Sequence, residues 1–234
     1  VSDTVAGYVR QHYPDVPAHR LRVIARGLDL AAFARRPHPD TQARGQIAQA
    51  WPALAGDGPL LLLPGRGTRL KGHAQAITLL AGLRRGGLDA RLWMPGAREP
   101  GREAYLAELM ADAQRLGVAD VVLATEATAQ IAQAYAAADL VLQVSRKPEA
   151  FGRTVVEALA VGAPVLGWDH GGVGELLAQL QPAGAVPLGD EAALLQRAAD
   201  LLASPPALPD SIPYTLQAMQ KATLDVYAQL AAQR

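Results

Sequence analysis

Two segments of this sequence combine residue types suited to binding a phosphate and a hydroxyl-rich ring. The first, Pro64 to Lys71, reads Pro-Gly-Arg-Gly-Thr-Arg-Leu-Lys and follows an apolar run. Gly65 and Gly67 permit close approach of the backbone, and Arg66 and Lys71 can bring a guanidinium and an ammonium to phosphate oxygens. The segment matches neither a Walker loop nor a dinucleotide-binding glycine pattern. By itself it predicts either a phosphate site or an ordinary basic surface loop.

The second segment, Glu149 to Glu157, places two carboxylates around the start of a predicted helix. Gly152 begins that helix, so the amides of Gly152, Arg153 and Thr154 have no partner within it and form an anion site. Carboxylates accept hydrogen bonds from vicinal hydroxyls, which ribose and hexose rings carry. The alternative is that both glutamates only stabilise the helix dipole. Together with the first segment, they predict a pocket for a phosphate-bearing, hydroxyl-rich ligand.

The elements that must position these residues alternate between short apolar runs and longer segments of helical period. Predicted strands lie at 21–24, 60–63, 90–94, 121–123, 140–144, 164–167 and 185–188, with 139–145 interpreted simply as a core strand. Predicted helices lie at 72–85, 99–116, 128–137, 152–162, 172–180 and 190–203. Runs such as Leu60 to Leu63, apolar at every position, are typical of parallel strands covered on both faces. The pattern predicts an α/β fold with a doubly wound, Rossmann-like parallel sheet, in which ligands bind beyond the carboxyl ends of the strands.

The two ends of the chain differ from this core. We expect three parts: residues 1–39 as a terminal helix and linker, 40–203 as the ligand-binding domain, and 204–234 as a proline-rich spacer and a closing helix. Ser2 can cap a helix that Pro14 ends, and an amphipathic helix is predicted from Tyr214 to about Ala232. The apolar stripes of both terminal helices need a surface to pack on, so in this chain alone we expect them to be exposed or self-associated.

Composition narrows the class of protein. Half of the 234 residues are hydrophobic, and 22 basic residues balance 22 acidic ones, so no overall charge favours nucleic acid or an anionic membrane. The absence of cysteine excludes disulfides and thiolate metal sites. No apolar run is long enough to span a bilayer. We expect a cytoplasmic location, no transmembrane segment and no metal site, since no acidic ligand cluster such as Asp-x-Asp is present.

The motifs in this order resemble the donor site of the retaining GT-B glycosyltransferases of family GT4. The resemblance rests on Arg66 with Lys71, and on Glu149 and Glu157 with seven residues between them. It extends to a Gly-Gly-x-x-Glu loop ending at Glu175, and it covers almost the whole chain. What is similar to the family is its C-terminal half, one half of the GT-B architecture. The N-terminal acceptor-binding domain has no counterpart here, so this chain is expected to bind donor without transferring sugar, and to meet a membrane only through that domain.

The resemblance also implies roles for the residues. Gly65, Arg66 and Lys71 would hold a diphosphate together with the amides of Arg153 and Thr154, Glu157 would hold ribose hydroxyls, and Glu149 with the backbone of Phe151 and Gly152 would hold sugar hydroxyls. Of these, Arg66, Lys71 and Glu149 would be the catalytic residues. The base would lie near Leu123 to Thr125. The implied donor is a nucleoside diphosphate sugar, UDP-sugar rather than GDP-sugar, with no separate cofactor.

The implied reaction transfers a hexose to an acceptor hydroxyl with retention of configuration, as in bacterial polysaccharide or lipopolysaccharide synthesis. Arg153 departs from the family, which usually has an aliphatic residue there; this additional cation would face either a more negatively charged ligand or solvent. Ala150 departs as well, because the family often has proline at that position. Two alternatives remain: a related sugar-phosphate epimerase or phosphorylase, and a non-enzymatic nucleotide-binding or partner-docking module.

Overall fold

Leucine- and valine-rich runs form a six-stranded parallel sheet in the computed structural model, which describes residues 1–232. The strands are β1 (Leu60–Leu62), β2 (Arg91–Pro95), β3 (Val122–Thr125), β4 (Leu140–Gln143), β5 (Val165–Trp168) and β6 (Ala185–Val186). They lie in the order β3-β2-β1-β4-β5-β6, and every neighbouring pair is parallel. The predicted doubly wound, Rossmann-like sheet is confirmed.

Helices cover both faces of the sheet. They are α1 (Asp3–His12), α2 (Thr41–Ala50), α3 (His73–Arg85), α4 (Glu103–Arg115), α5 (Ile131–Ala137), α6 (Arg153–Val161), α7 (Gly171–Leu180), α8 (Glu191–Ala203) and α9 (Leu216–Ala232). Leu60 and Leu62 belong to a core with α2, α5, α6 and α7, whereas Leu61 and Leu63 belong to a second core with α3, α4 and α8. Because alternate side chains of a strand point to opposite faces, two cores require an apolar residue at every position of β1.

One local prediction was wrong, and one helix was not predicted. Residues 21–24 form no strand; this segment is exposed or half-buried, and nearby only Leu28 makes an isolated bridge, to Thr215. An apolar run with no neighbouring strand to pair with stays irregular. Helix α2 was not predicted; Asp40 caps it by accepting a hydrogen bond from the amide of Ala43 at 2.9 Å. Three glutamines and a glycine in α2 weaken the apolar periodicity that would have revealed it.

The terminal helices contact the core differently. Glu175 accepts hydrogen bonds from the first turn of α1, at 3.0 Å from the amide of Asp3. Helix α9 has no buried residue, and the side chains of Leu224, Tyr227 and Leu230 are 65, 65 and 56% exposed. Apolar side chains of α9 are therefore exposed, but Val5 and Val9 of α1 are half-buried, so the expected exposure of both apolar stripes is met only in part. The division at residues 39 and 203 stays a prediction.

A left-handed glycine fixes the joint between the basic loop and α3. Gly72 precedes the helix with φ 82°, and an ideal Cβ placed on it would lie 2.2 Å from the carbonyl oxygen of Val144. No side chain fits in that space. The joint therefore holds the loop against the residues that follow β4, where the second motif begins.

Gly72→Ala is expected to destabilise the protein more than Gly87→Ala. Both glycines have a positive φ, but a Cβ on Gly87 (φ 90°) would meet nothing within 4 Å. The control thus measures backbone strain alone, and Gly72→Ala adds a collision. We expect the free energies of unfolding in urea to differ by about 1 to 2 kcal/mol, the scale of overpacking. Equal losses would show that the backbone at Gly72 moves away from Val144 without cost.

Candidate functional site

A cavity of about 860 Å³ opens at the carboxyl ends of the strands. Its wall comes from the loops after β1, β2 and β3 and from the start of α6, which follows β4. β1 and β4 are neighbours, and from them the strand order runs to opposite edges of the sheet. The cavity therefore lies at the point where the winding of the sheet reverses, which is where open α/β sheets bind ligands.

The basic loop forms one side of this cavity. Gly65, Arg66 and Lys71 line it, and the amide of Gly65 donates a hydrogen bond to the carbonyl of Pro95 at 2.9 Å. An ideal Cβ on Gly67 would lie 2.2 Å from the carbonyl oxygen of Ala97. The glycines thus let this loop lie directly on the loop after β2, which turns Arg66 and Lys71 toward the open space.

The start of α6 forms the opposite side. Gly152 precedes the helix in the left-handed region, with φ 102°, and Arg153 and Thr154 line the cavity. The first backbone hydrogen bond of the helix runs from the amide of Val155 to the carbonyl of Gly152 at 3.0 Å. The amides of Arg153 and Thr154 precede that bond, so they belong to the positive end of the helix dipole. An anion in the cavity would meet this end.

Glu157 brings a buried carboxylate to the same wall. It is only 7% exposed, and its two oxygens have different partners. The hydroxyl of Tyr135 donates to Oε2 at 2.9 Å, and Nε and Nη2 of Arg153 donate to Oε1 at 3.1 and 2.7 Å. Arg153, whose side chain is 70% exposed, is therefore paired with Glu157, a contact that the sequence analysis did not predict.

Tyr135 was also missed, although it lines the cavity. Burial, reinforced by the charge of Glu157, raises the pKa of Tyr135 well above its ordinary value, which keeps its hydroxyl protonated as a donor. Tyr135 lies in α5, 22 positions before Glu157. The only signal in the sequence is a single hydroxyl in an otherwise apolar half of that helix.

Glu149 lies beside the cavity and is hydrogen-bonded to Lys71, which lines it. Lys71 Nζ donates to Glu149 Oε1 at 2.5 Å, and both side chains are 29% exposed. Burial alone would raise the pKa of Glu149, but hydrogen bonds from Lys71 and Ser145 outweigh it, so this pKa lies below its ordinary value. The carboxylate is consequently ionised at neutral pH.

The structure brings six of the nine predicted site residues into one cavity wall: Gly65, Arg66, Lys71, Arg153, Thr154 and Glu157. The other three lie beside it. Glu149 contacts Lys71, Gly152 packs on Val173, and the buried ring of Phe151 packs edge-on against Tyr214 with the centroids 5.4 Å apart. A role for Phe151 in ligand binding would thus fall to its backbone.

The remaining wall was not predicted. It includes Phe33 from the segment before α2, Arg98 and Glu99 after β2, and Glu126 and Thr128 after β3. A second cavity of about 660 Å³ shares Arg98, Glu126 and Thr128 and is also lined by Trp51 and by residues 123–125. Trp51 packs against Trp93 with the centroids 4.8 Å apart. This cavity coincides with the strand end at which the sequence analysis placed the base.

Among residues 1–232, no group of three or more acidic or histidine side chains is placed to hold a metal ion. No helix in that range combines the length and hydropathy needed to cross a membrane.

Comparison with known proteins gives concordant matches. The family model described as Glycosyl transferases group 1 matches residues 48–217. A D-inositol 3-phosphate glycosyltransferase of Segniliparus rotundus is 34% identical over 170 residues, which are 72% of this chain and 36% of that protein. The chain thus spans about a third of the length of this relative.

Solved structures share the fold. A glycosyltransferase from Rickettsia africae superposes with a TM-score of 0.80 at 19% identity, over 99% of this chain and 62% of that one. HepE of Anabaena, in complex with UDP and glucose, superposes with a TM-score of 0.69 at 26% identity, over 80% of this chain and 49% of that one. The parallel sheet and its flanking helices are those of GT-B glycosyltransferase structures.

Proposed function

Because this chain belongs to the family of group 1 glycosyl transferases, we propose that it is the nucleotide-sugar-binding half of a retaining glycosyltransferase of family GT4. The enzyme would transfer a hexose from a nucleoside diphosphate sugar to an acceptor hydroxyl. One observation carries the proposal: cations, a helix amino terminus and a buried carboxylate line a single cavity at the carboxyl ends of the strands. The cations and the helix amino terminus suit the diphosphate of such a donor, and the carboxylate suits its ribose hydroxyls.

The proposed roles follow the chemistry of the wall. Arg66 and Lys71, with the amides of Arg153 and Thr154, bind the diphosphate, because cations and a helix amino terminus both favour anionic oxygens. Glu157 accepts hydrogen bonds from ribose hydroxyls. Glu149 accepts hydrogen bonds from hydroxyls of the sugar, and the backbone amides of Phe151 and Gly152 donate hydrogen bonds to it. The base occupies the second cavity, beside Trp51.

Catalysis in this proposal is electrostatic. As the bond between the sugar and the diphosphate breaks, negative charge grows on the leaving oxygen. Lys71, Arg66 and the first amides of α6 would stabilise that charge with little reorganisation, because these residues line the cavity before a donor binds. The acceptor hydroxyl would come from a second, N-terminal domain across the cleft, and closure of the two halves would complete the site. We expect this chain alone to bind donor without turnover.

A UDP-sugar rather than a GDP-sugar is the proposed donor, supported by the bound UDP in the HepE structure. We also propose synthesis of a bacterial polysaccharide or lipopolysaccharide in the cytoplasm as the setting, with contact to a membrane made by the second domain. These finer assignments rest on the family resemblance.

Thermal unfolding with UDP, GDP, ADP and their glucose conjugates tests the proposal. A ligand at a hundredfold excess over its Kd stabilises the native state by about 2.7 kcal/mol, which raises the Tm of a chain of this size by about 5 to 10 °C. We expect this shift with the uridine compounds. No shift with any of the six compounds would argue against a nucleotide-sugar site in this chain.

A non-enzymatic partner-docking module is the second candidate, because Leu224, Tyr227 and Leu230 of α9 are exposed. It predicts self-association that depends on protein concentration and no affinity for nucleotides. Self-association in sedimentation velocity, together with no shift in Tm from any nucleotide, would favour the docking module; a shift in Tm favours the glycosyltransferase whether or not the chain self-associates.

A further inference from the structure

Ser145 lies between two side chains, each of which can accept a hydrogen bond from its hydroxyl. Its Oγ is 2.8 Å from Glu149 Oε1 and 3.1 Å from the Oε1 position of Gln143. Gln143 is the last residue of β4, and Gln143 and Ser145 are only 5 and 4% exposed. Water therefore has little access to the Ser145 hydroxyl, and Gln143 and Glu149 must be its hydrogen-bond partners.

A hydroxyl has one proton and cannot donate to both acceptors. The ionised carboxylate of Glu149 is the stronger acceptor and is also the closer one. Once Ser145 donates to Glu149, its oxygen faces Gln143 with lone pairs only, so Gln143 satisfies it by presenting the amide nitrogen. The two ends of an amide side chain are interchangeable in shape, and the hydrogen-bond network decides between them. The bonds then run in one direction, from Gln143 through Ser145 to Glu149.

Both donors of Glu149 use the same oxygen. Lys71 Nζ and Ser145 Oγ each lie within hydrogen-bond distance of Oε1. Among residues 1–232, no side chain or backbone amide donates to Oε2. The carboxylate is thus fixed through one oxygen, while the other stays available to a hydroxyl of a ligand.

We propose that Gln143 and Ser145 are positioning residues that fix the carboxylate of Glu149, so that its Oε2 is oriented to accept a hydrogen bond from the sugar of the donor. The part of this proposal that concerns the sugar rests on the proposed function. The direction of the hydrogen bonds rests only on the ligand-free geometry, and the two parts can be tested separately.

The ligand-free test follows the carboxyl carbon of Glu149 by NMR titration in the wild type, Ser145→Ala, Ser145→Cys and Gln143→Leu. A donor to the ionised form lowers a carboxyl pKa, so the pKa of Glu149 rises in Ser145→Ala. It rises similarly in Ser145→Cys, which fills the space with a weak donor. It rises less in Gln143→Leu, which removes only the polarising amide. The other titratable groups that face Glu149, Lys71 and His170, are kept in every variant.

The opposite direction of hydrogen bonding gives the opposite sign. If Ser145 donated to Gln143 instead, Gln143→Leu would free the hydroxyl to turn to Glu149, and the pKa of Glu149 would fall. A fall in Gln143→Leu, or no rise in Ser145→Ala, overturns the inference. NMR spectra of the backbone amides confirm that each variant is folded. If Ser145→Ala does not fold, Ser145→Cys takes its place in the test.

The second test uses whichever nucleoside diphosphate, UDP, GDP or ADP, stabilises the wild type. Calorimetry measures the affinity of each variant for that diphosphate and for its glucose conjugate. Ser145→Ala is expected to weaken the conjugate about five- to tenfold, the scale of one hydrogen bond, and to leave the diphosphate within about twofold. Equal losses for both ligands would overturn the positioning role. If the wild type binds none of these ligands, the proposed function fails, and the sugar part of the inference fails with it; the titration still decides the direction of the bonds.

Discussion

Lys71→Ala is expected to weaken binding of the nucleoside diphosphate by about 1.5 to 3 kcal/mol, a loss of roughly 10- to 150-fold in affinity. Lys71 lines the cavity and is bonded to Glu149 at 2.5 Å. The substitution removes a cation from the diphosphate and also leaves the Glu149 carboxylate without its partner beside an anionic ligand. Both effects act in the same direction. Isothermal titration calorimetry with UDP measures the loss.

Arg69→Ala is the matched control for Lys71→Ala. Arg69 lies in the same loop and carries the same charge, but its side chain is 66% exposed and pairs with Glu108 outside the cavity. Its removal is expected to change affinity by less than about twofold, because exposed ion pairs contribute little. Similar losses in both variants would indicate a general field effect of the loop and contradict a direct contact from Lys71.

Glu157→Gln is expected to cost a similar 1.5 to 3 kcal/mol, through the ribose instead of the phosphates. The carboxylate is buried and accepts from both Tyr135 and Arg153. An amide keeps one acceptor oxygen but turns an NH₂ group toward one of these donors, so the acceptor for ribose hydroxyls is lost or misplaced. Calorimetry with UDP and with its 2′,3′-dideoxy analogue isolates the contact, since the analogue lacks both hydroxyls.

The expected result is that Glu157→Gln weakens UDP strongly and the dideoxy analogue little. Tyr135→Phe, which keeps the ring and removes the hydroxyl, is expected to give a smaller loss with the same preference, about 0.5 to 1.5 kcal/mol. An equal loss for UDP and its analogue would place the effect of Glu157 elsewhere than at the ribose.

The strands and the meeting of the two motifs were predictable because they depend on the apolar pattern of the sequence and on the common direction of parallel strands. A run such as Leu60 to Leu63, apolar at every position, is typical of a strand covered on both faces, as in a parallel sheet with helices on both sides. Arg66 and Lys71 follow β1, Arg153 and Glu157 follow β4, and parallel strands end at one edge, so the motifs had to meet there.

The partners within the site were not predictable, because they depend on side-chain geometry across distant segments. Tyr135 and Ser145 fit the apolar pattern of a core helix and a core strand, and only the folded chain shows that their hydroxyls point at Glu157 and Glu149. Arg153 presented a choice between ligand and solvent, and its pairing with a residue one helical turn away was overlooked. The helix α2 was missed because its polar composition hides its buried face.

The pairing of β1 with β4 also has a consequence for how the chain folds. Leu61 pairs with Leu140, and no other neighbouring strands are so far apart in the sequence. Closing a longer segment costs more chain entropy, so each half of the sheet can form locally before the halves join. The cavity takes Arg66 and Lys71 from the first half, and Glu157 and the start of α6 from the second. Recovery of ligand affinity during refolding would therefore follow the docking of the two halves, and it would lag behind the formation of helices.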